Sequence, residues 1–156
     1  YIFTIAGDGG AYAIGLGETM SAATRNDNVI FLVMNNNMFA MTGGQMAPTT
    51  IEGQYTASTP AGRNYTDHGS TFDVVKVMGN LDIAYLARGT ITNPKEINTT
   101  KRYIKKALEK QKEKKGFCLI EVLVPCPTNW GLKPVDAMKR IENELVPKYP
   151  LGEFID

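Results

Sequence analysis

Apolar residues in this chain fall into short continuous runs, separated by longer stretches in which they recur every three or four positions. "YIFTIA", ending at Gly7, reads as a short buried strand. Residues 11–25 place Tyr12, Ile14, Leu16, Met20 and Ala23 at helical spacing, as in a helix packed on a sheet. "NVIFLVMN" (28–35) is apolar throughout and rich in β-branched residues, which predicts a central parallel strand covered on both faces. A loop of about 25 residues follows from Asn36 to Gly62, rich in Gly, Thr, Met and Pro; loops of that length in a small domain are usually functional or mobile. "STFDVVKVMGN" predicts a helix capped by Ser70 or Thr71, and "IAYLARGTI" (83–91) a third strand. Pro94 opens a helix with a lysine-rich end, as the helix dipole prefers, and Gly116 closes it. "FCLIEVLVP" is a fourth strand, and "KPVDAMKRIENELVP" a last helix entered at Pro134 and stopped before Pro147. The order predicts an α/β fold: a mostly parallel sheet with helices on both faces, as one domain over 1–156.

Composition narrows the function classes. The 156 residues are 43% hydrophobic and 21% charged, with a formal net charge of +1. That balance points neither to nucleic acid nor to an anionic membrane, and no apolar run approaches the roughly 20 residues of a membrane-spanning helix. The basic residues do cluster in "KRYIKKALEKQKEKK" (101–115), a solvated helix face or a docking surface for an acidic protein. Cys118 and Cys126 form no C-x-x-C pair, which argues against structural zinc, a disulfide framework or a cluster held by this chain alone, and fits a reducing cytoplasm. The chain starts inside a strand at Tyr1 and reads as a piece of something longer.

The most informative local feature is Asp8, set among glycines in "TIAGDGGAYAIGLGETM" between the first strand and the first helix. Ligands of open parallel sheets bind beyond the carboxyl ends of the strands. Glycines there let a phosphate approach the backbone, and a helix start offers free N–H groups. A carboxylate would repel that phosphate unless a hard cation lies between them. Asn36, 28 positions later at the next strand end, offers a neutral amide oxygen for the same ion. One carboxylate, one amide and diphosphate oxygens make a sensible Mg²⁺ shell.

That combination resembles the thiamine diphosphate fingerprint, GDG followed by an asparagine element. The wider context, "GDGGAYAIG", "VMNNNMFAMTGGQMAPTT", "TPAGR", "CPTNWG" and "PKYPLG", is similar to the thiamine-binding subunit of 2-oxoacid:ferredoxin oxidoreductases, especially the branches acting on 2-oxoisovalerate or 2-oxoglutarate. The resemblance implies a thiamine diphosphate-binding fold, truncated at its N-terminus. It implies Mg²⁺ held by Asp8, the Asn36 side chain and the Met38 backbone carbonyl, and a cofactor lined by Gly7, Gly9, Gly10, Ala40 and Met41. It assigns no catalytic side chain here: the thiamine-activating glutamate belongs to a partner subunit or domain, and iron–sulfur clusters to other subunits or a missing segment. Implied partners are those subunits, ferredoxin, a 2-oxoacid and coenzyme A, in the cytoplasm. Gly10 and Asn35 depart from residues common in that family, an acidic or bulkier residue and aspartate respectively.

Other residues keep two readings open. Asp8 is also a good turn residue. Met34, Met38, Met41 and Met46 suit packing or a soft wall for the cofactor. His68, the only histidine, reads as a loop residue; Arg63 either binds an anion or anchors its loop; Trp130 reads as a packing anchor. A dinucleotide-binding domain fits poorly, since its third glycine position is Tyr12 and its acidic strand end is Asn35. A non-catalytic scaffold with helix 101–115 as its interface is the rival from another class.

Overall fold

A computed structural model describes all residues, 1–156. In chain order its strands are β1 (Phe3–Gly7), β2 (Ile30–Asn35), β3 (Met38–Phe39), β4 (Gln45–Met46), β5 (Tyr85–Thr90), β6 (Cys118–Leu123) and β7 (Gly152–Ile155). Its helices are α1 (Leu16–Thr24), α2 (Tyr65–His68), α3 (Val74–Met78), α4 (Pro94–Lys112), α5 (Pro127–Trp130), α6 (Pro134–Arg140) and α7 (Val146–Lys148). The main sheet has five strands in the order β1-β2-β6-β5-β7. All neighbours are parallel except β5 and β7.

β6 lies at the centre, and every one of its residues is buried. Alternation along the strand sends Leu119 toward α1 and α3, where it joins Tyr12, Ala23, Val74 and Met78. Cys118, Ile120 and Val122 face the other way, onto Tyr103 and Ala107 of α4. Each fully buried aliphatic side chain contributes roughly 1.5–3 kcal/mol over its exposed state, so burial on both faces, more than backbone pairing, fixes β6 as the central strand. On α4 the buried positions Thr100, Tyr103, Ala107 and Gln111 form a single stripe. The helix starts on Asn93, whose side chain accepts from the Glu96 N–H at 3.0 Å, with Pro94 at the first turn. It lies close on the sheet because Gly89 carries no side chain: a Cβ there would sit 2.2 Å from Thr100 Oγ1.

Several predicted details change. β1 is an edge strand with Phe3, Ile5 and Gly7 exposed, not a buried one. The helix over 11–25 is a wide π-turn (Gly10–Ile14) followed, after Gly15, by α1. The long loop contains the small β3–β4 hairpin. Neither Ser70 nor Thr71 caps α3: the Thr71 hydroxyl donates to the Thr50 carbonyl, and Asp73 accepts from the Val75 N–H at 3.1 Å instead. α4 stops at Lys112, with Lys114 and then Gly116 in left-handed conformations. The last helix passes through a π-turn (Ile141–Leu145) and continues to Lys148. Pro147 is tolerated near the end of this run, where at most one main-chain hydrogen bond is lost and the Tyr149 N–H still reaches the Leu145 carbonyl at 2.7 Å. β7 has no counterpart among the predicted elements, being four residues long with no apolar run.

Candidate cofactor and metal site

The carboxyl ends of β1 and β2 lie side by side, with Gly7 opposite Met34 in the parallel register. All eight positions singled out by the resemblance line one cavity of about 330 Å³ just beyond them. Gly7, Asp8, Gly9 and Gly10 form one wall, Asn36 and Met38 the next, and Ala40 and Met41 the hairpin side. Phe39 and Thr42, which carry no chemistry of their own in the motif, complete the lining. Gly9 is required for shape, since a Cβ there would meet the Phe39 ring at 2.4 Å. Gly7, Gly10 and Met41 are exposed, so the mouth is open to solvent. A larger groove of about 720 Å³ runs along the π-turn and α3, but its Arg63 and Asp73 are already engaged inside the protein.

Asp8 is 1% exposed. Burial raises its pKa from 3.8 to about 6, opposed by the Thr49 hydroxyl and by the backbone N–H groups of Asp8 and Asn36. None of the protein's ion pairs includes it. A buried carboxylate with hydrogen bonds but no cation is costly, and a hard divalent ion would remove the cost. The donors fit such an ion: Asp8 carboxylate, Asn36 amide and Met38 carbonyl are all oxygen ligands. No cluster of three or more His, Cys, Asp or Glu side chains could hold a metal unaided, so further oxygens would have to come from a bound diphosphate.

The three asparagines make overlapping turns. Asn35 Oδ1 accepts from the Asn37 N–H at 3.0 Å, and Asn36 Oδ1 accepts from the Met38 N–H at 3.3 Å. Asn37 is buried with φ +60°, a conformation asparagine tolerates better than most residues. Its Nδ2 donates to the Thr49 carbonyl at 2.7 Å, which also accepts from the Tyr149 hydroxyl at 2.6 Å. Thr49 in turn donates from its hydroxyl to Asp8. Behind Asn35 lies a buried ion network that the predicted elements contain but their apolar pattern concealed. Asn35 Nδ2 donates to Glu121 at 3.0 Å; Arg88 donates to Glu121 from Nε and to Asp73 from Nη2 at 2.6 Å. Desolvation pulls the Arg88 pKa down, yet the Glu121 and Asp73 charges outweigh it and the net direction is up. A lone charge in each of two apolar strands was the available signal, because Arg88 and Glu121 are direct partners in the register.

Of the remaining candidates, Arg63 is a loop anchor. Its guanidinium is buried and donates to six backbone carbonyls, those of Ala47, Pro48, Thr50, His68, Gly69 and Ser70. Arg63→Met is therefore expected to lower stability by about 3 kcal/mol or more in urea unfolding, since several charge-assisted bonds are lost together. His68 is half-buried, and its ring hydrogen-bonds only the Asn64 backbone. Trp130 stacks under Arg140 at 4.4 Å, as a packing anchor. The methionines divide: Met38 and Met41 line the cavity, while Met34 packs on the α4 side. Asn129 ties the "CPTNWG" turn to the hairpin by donating to the Ala40 carbonyl at 2.9 Å. The basic helix is partly neutralised, with Lys106 and Lys110 paired to Glu153 and Asp156.

The mostly parallel sheet, with an acidic glycine turn and an asparagine turn at adjacent strand tips, defines an α/β protein with a candidate ligand cavity beyond its strand ends. Residues 1–122 match the family described as thiamine pyrophosphate enzyme, C-terminal TPP binding domain, and the chain belongs to that family. It is 38% identical over 151 residues to the ketoisovalerate oxidoreductase subunit VorA of Methanothermobacter thermautotrophicus, covering 96% of this chain and 32% of that one. It is 37% identical over 136 residues to the 2-oxoglutarate synthase subunit KorB of Archaeoglobus fulgidus, covering 87% and 47%. The fold is similar to a chain of 2-oxoglutarate:ferredoxin oxidoreductase from Magnetococcus marinus, solved with 2-oxoglutarate, coenzyme A and succinyl-CoA bound. There the TM-score is 0.69 at 20% identity, covering 96% of this chain and 54% of that one. The chain thus spans about a third to a half of these proteins' lengths.

Proposed function

We propose that this chain binds thiamine diphosphate and Mg²⁺ as part of a 2-oxoacid:ferredoxin oxidoreductase, which converts a 2-oxoacid to its acyl-coenzyme A. The observation that carries the reading is Asp8: a buried carboxylate without a cation, in one cavity with three glycines and the Asn36 amide. Asp8, Asn36 and the Met38 carbonyl hold the metal. The open turn Gly7–Gly10 lets the diphosphate reach backbone N–H groups, and Ala40 and Met41 flank the rings. When bound, thiamine diphosphate supplies the carbanion-stabilising chemistry of 2-oxoacid decarboxylation. The chain's own share is positioning and charge compensation. Proton transfer to the cofactor falls to a partner subunit or domain.

The substrate is 2-oxoisovalerate, with 2-oxoglutarate the alternative. The hairpin side of the cavity is Met38, Phe39, Ala40 and Met41, and no lysine, arginine or histidine lines it; a second substrate carboxylate would call for one. A partner subunit covers the mouth. Met41 in the cavity lining is 101% exposed, and Ile5 and Ile14, on β1 and the π-turn, are 71% and 84% exposed; exposed apolar side chains of this kind suit an interface. Iron–sulfur clusters need ligands from outside these residues, because Cys118 and Cys126 are too few to bind one alone. Ferredoxin takes the electrons. A cytoplasmic location suits the two free thiols, and no helix is long and apolar enough to cross a membrane.

The test is a thiamine diphosphate titration of the full-length protein by calorimetry, with Mg²⁺ and with EDTA, beside activity of the assembled complex on 2-oxoisovalerate, 2-oxoglutarate and pyruvate. Binding that needs Mg²⁺ and the highest kcat/KM on 2-oxoisovalerate are expected. Metal-independent binding would remove the assignment of Asp8, and preference for 2-oxoglutarate would transfer the chain to the other branch.

A further inference from the structure

Asn35 does not line the cavity, yet both ends of its amide are committed beneath it. Oδ1 accepts from the Asn37 N–H at 3.0 Å, and Nδ2 donates to Glu121 Oε1 at 3.0 Å. If the amide turned over, its NH₂ would face the Asn37 N–H, donor against donor, and the turn would open. Glu121 prevents this. The Glu121 carboxylate accepts from Asn35 through Oε1 and from Arg88, itself held by Asp73, through Oε2, so it faces Asn35 as an acceptor and selects the orientation of its amide.

We infer that Asn35, oriented by Glu121 and Arg88, is a positioning residue that presents the Asn36 and Met38 oxygens to the metal. This rests on the reading of the cavity as a metal–diphosphate site. Asn37 is the joint of the device. Its N–H takes direction from Asn35, its φ of +60° has to be held in place, and its side chain grips the Thr49 carbonyl. Thr49 carries the other half, since its hydroxyl binds Asp8. The carboxylate on one strand tip and the amide on the next are thereby set by a single connected network. Arg88 and Glu121 are each 1% exposed, and an ion pair so deeply buried adds little to stability over well-packed apolar side chains. Placement two residues before the end of β6, on the β2 side of Arg88, gives it a use that apolar residues could not supply.

The test exchanges donor and acceptor. Asn35→Asp sets a carboxylate against Glu121, whereas Asn35→Asp with Glu121→Gln restores the bond in reverse and still leaves an oxygen for the Asn37 N–H. In the full-length protein, Asn35→Asp is expected to weaken Mg²⁺ binding at saturating thiamine diphosphate by about tenfold or more, the size typical of lost outer-shell support. The double variant is expected to recover to within about threefold. Hydrogen exchange of segment 35–42 without cofactor, faster in the single variant and restored in the double, reads the turn independently of any ligand. Unchanged exchange in Asn35→Asp, or no recovery in the double variant, overturns the inference. If the wild type shows no Mg²⁺-dependent binding but the exchange pattern holds, the metal–diphosphate reading falls and the control of the turn by Glu121 stands.

Discussion

Asp8→Asn is expected to abolish Mg²⁺-dependent thiamine diphosphate binding while making the cofactor-free protein more stable. On the proposed reading the Asp8 carboxylate touches the metal, and a neutral amide in its place would lose most of the attraction, so affinity should fall at least about 100-fold, beyond the 10–100-fold cost of changing residues that only support a ligand. The stability effect runs the other way. In the folded protein the Asp8 pKa is raised by burial from 3.8 to about 6. A raised carboxylate pKa means that the folded state binds the proton more readily than the unfolded state. The penalty is therefore absent below pH 4, grows as pH rises from about 4 to about 6, and is complete above that. The difference between 3.8 and about 6 corresponds to on the order of 3 kcal/mol. Asp8→Asn lacks the charge, keeps an oxygen to accept from Thr49, and should be the more stable protein at pH 8 but not at pH 4. Calorimetric titration and urea unfolding at the two pH values measure both halves. An Asp8→Asn protein destabilised at pH 8 would show that the carboxylate serves the fold and not a ligand.

The cavity was legible in the sequence because its chemistry is local. The acidic glycine turn and the asparagine turn each occupy a few consecutive residues, and the parallel order of the strands that carry them follows from their apolar runs. The four-strand core was legible for the same reason: "NVIFLVMN" and "FCLIEVLVP" cannot be satisfied except with both faces covered. What escaped depends on partners distant along the chain. Asp73 caps α3 instead of Ser70 or Thr71 because Arg63 and Thr50 have already engaged that segment. β1 is half exposed because it ends the sheet, and no property of "YIFTIA" distinguishes an edge from a centre. Arg63 was open between anion binding and anchoring, and only the convergence of six carbonyls decides it. Phe39 enters the cavity through its contact with Gly9, 30 positions away, which no local pattern announces.

Arg88 tests whether the buried network serves the fold, the site, or both. Arg88→Met leaves Glu121 with no cation in a position 1% exposed, and removing one member of a buried pair costs about 3–5 kcal/mol. That is a large part of the roughly 5–15 kcal/mol by which most domains are stable, so a marked loss in urea unfolding is expected. Adding Glu121→Met removes the fully buried stranded charge; Asp73 loses its cation as well, but it keeps the Val75 N–H bond of the α3 cap and lines the groove, where water can reach it. Most of the stability should then return, since apolar replacements of buried ion pairs are often neutral. Cofactor affinity should not return with it. Asn35 Nδ2 would have lost its acceptor, and the turn that presents Asn36 would be held from the Thr49 side alone. Stability and Mg²⁺-dependent binding are expected to separate in the double variant, with the first recovered and the second still reduced by about tenfold or more. Recovery of both together would show that the ion pair is a packing element whose position under the strand tips has no bearing on the ligand.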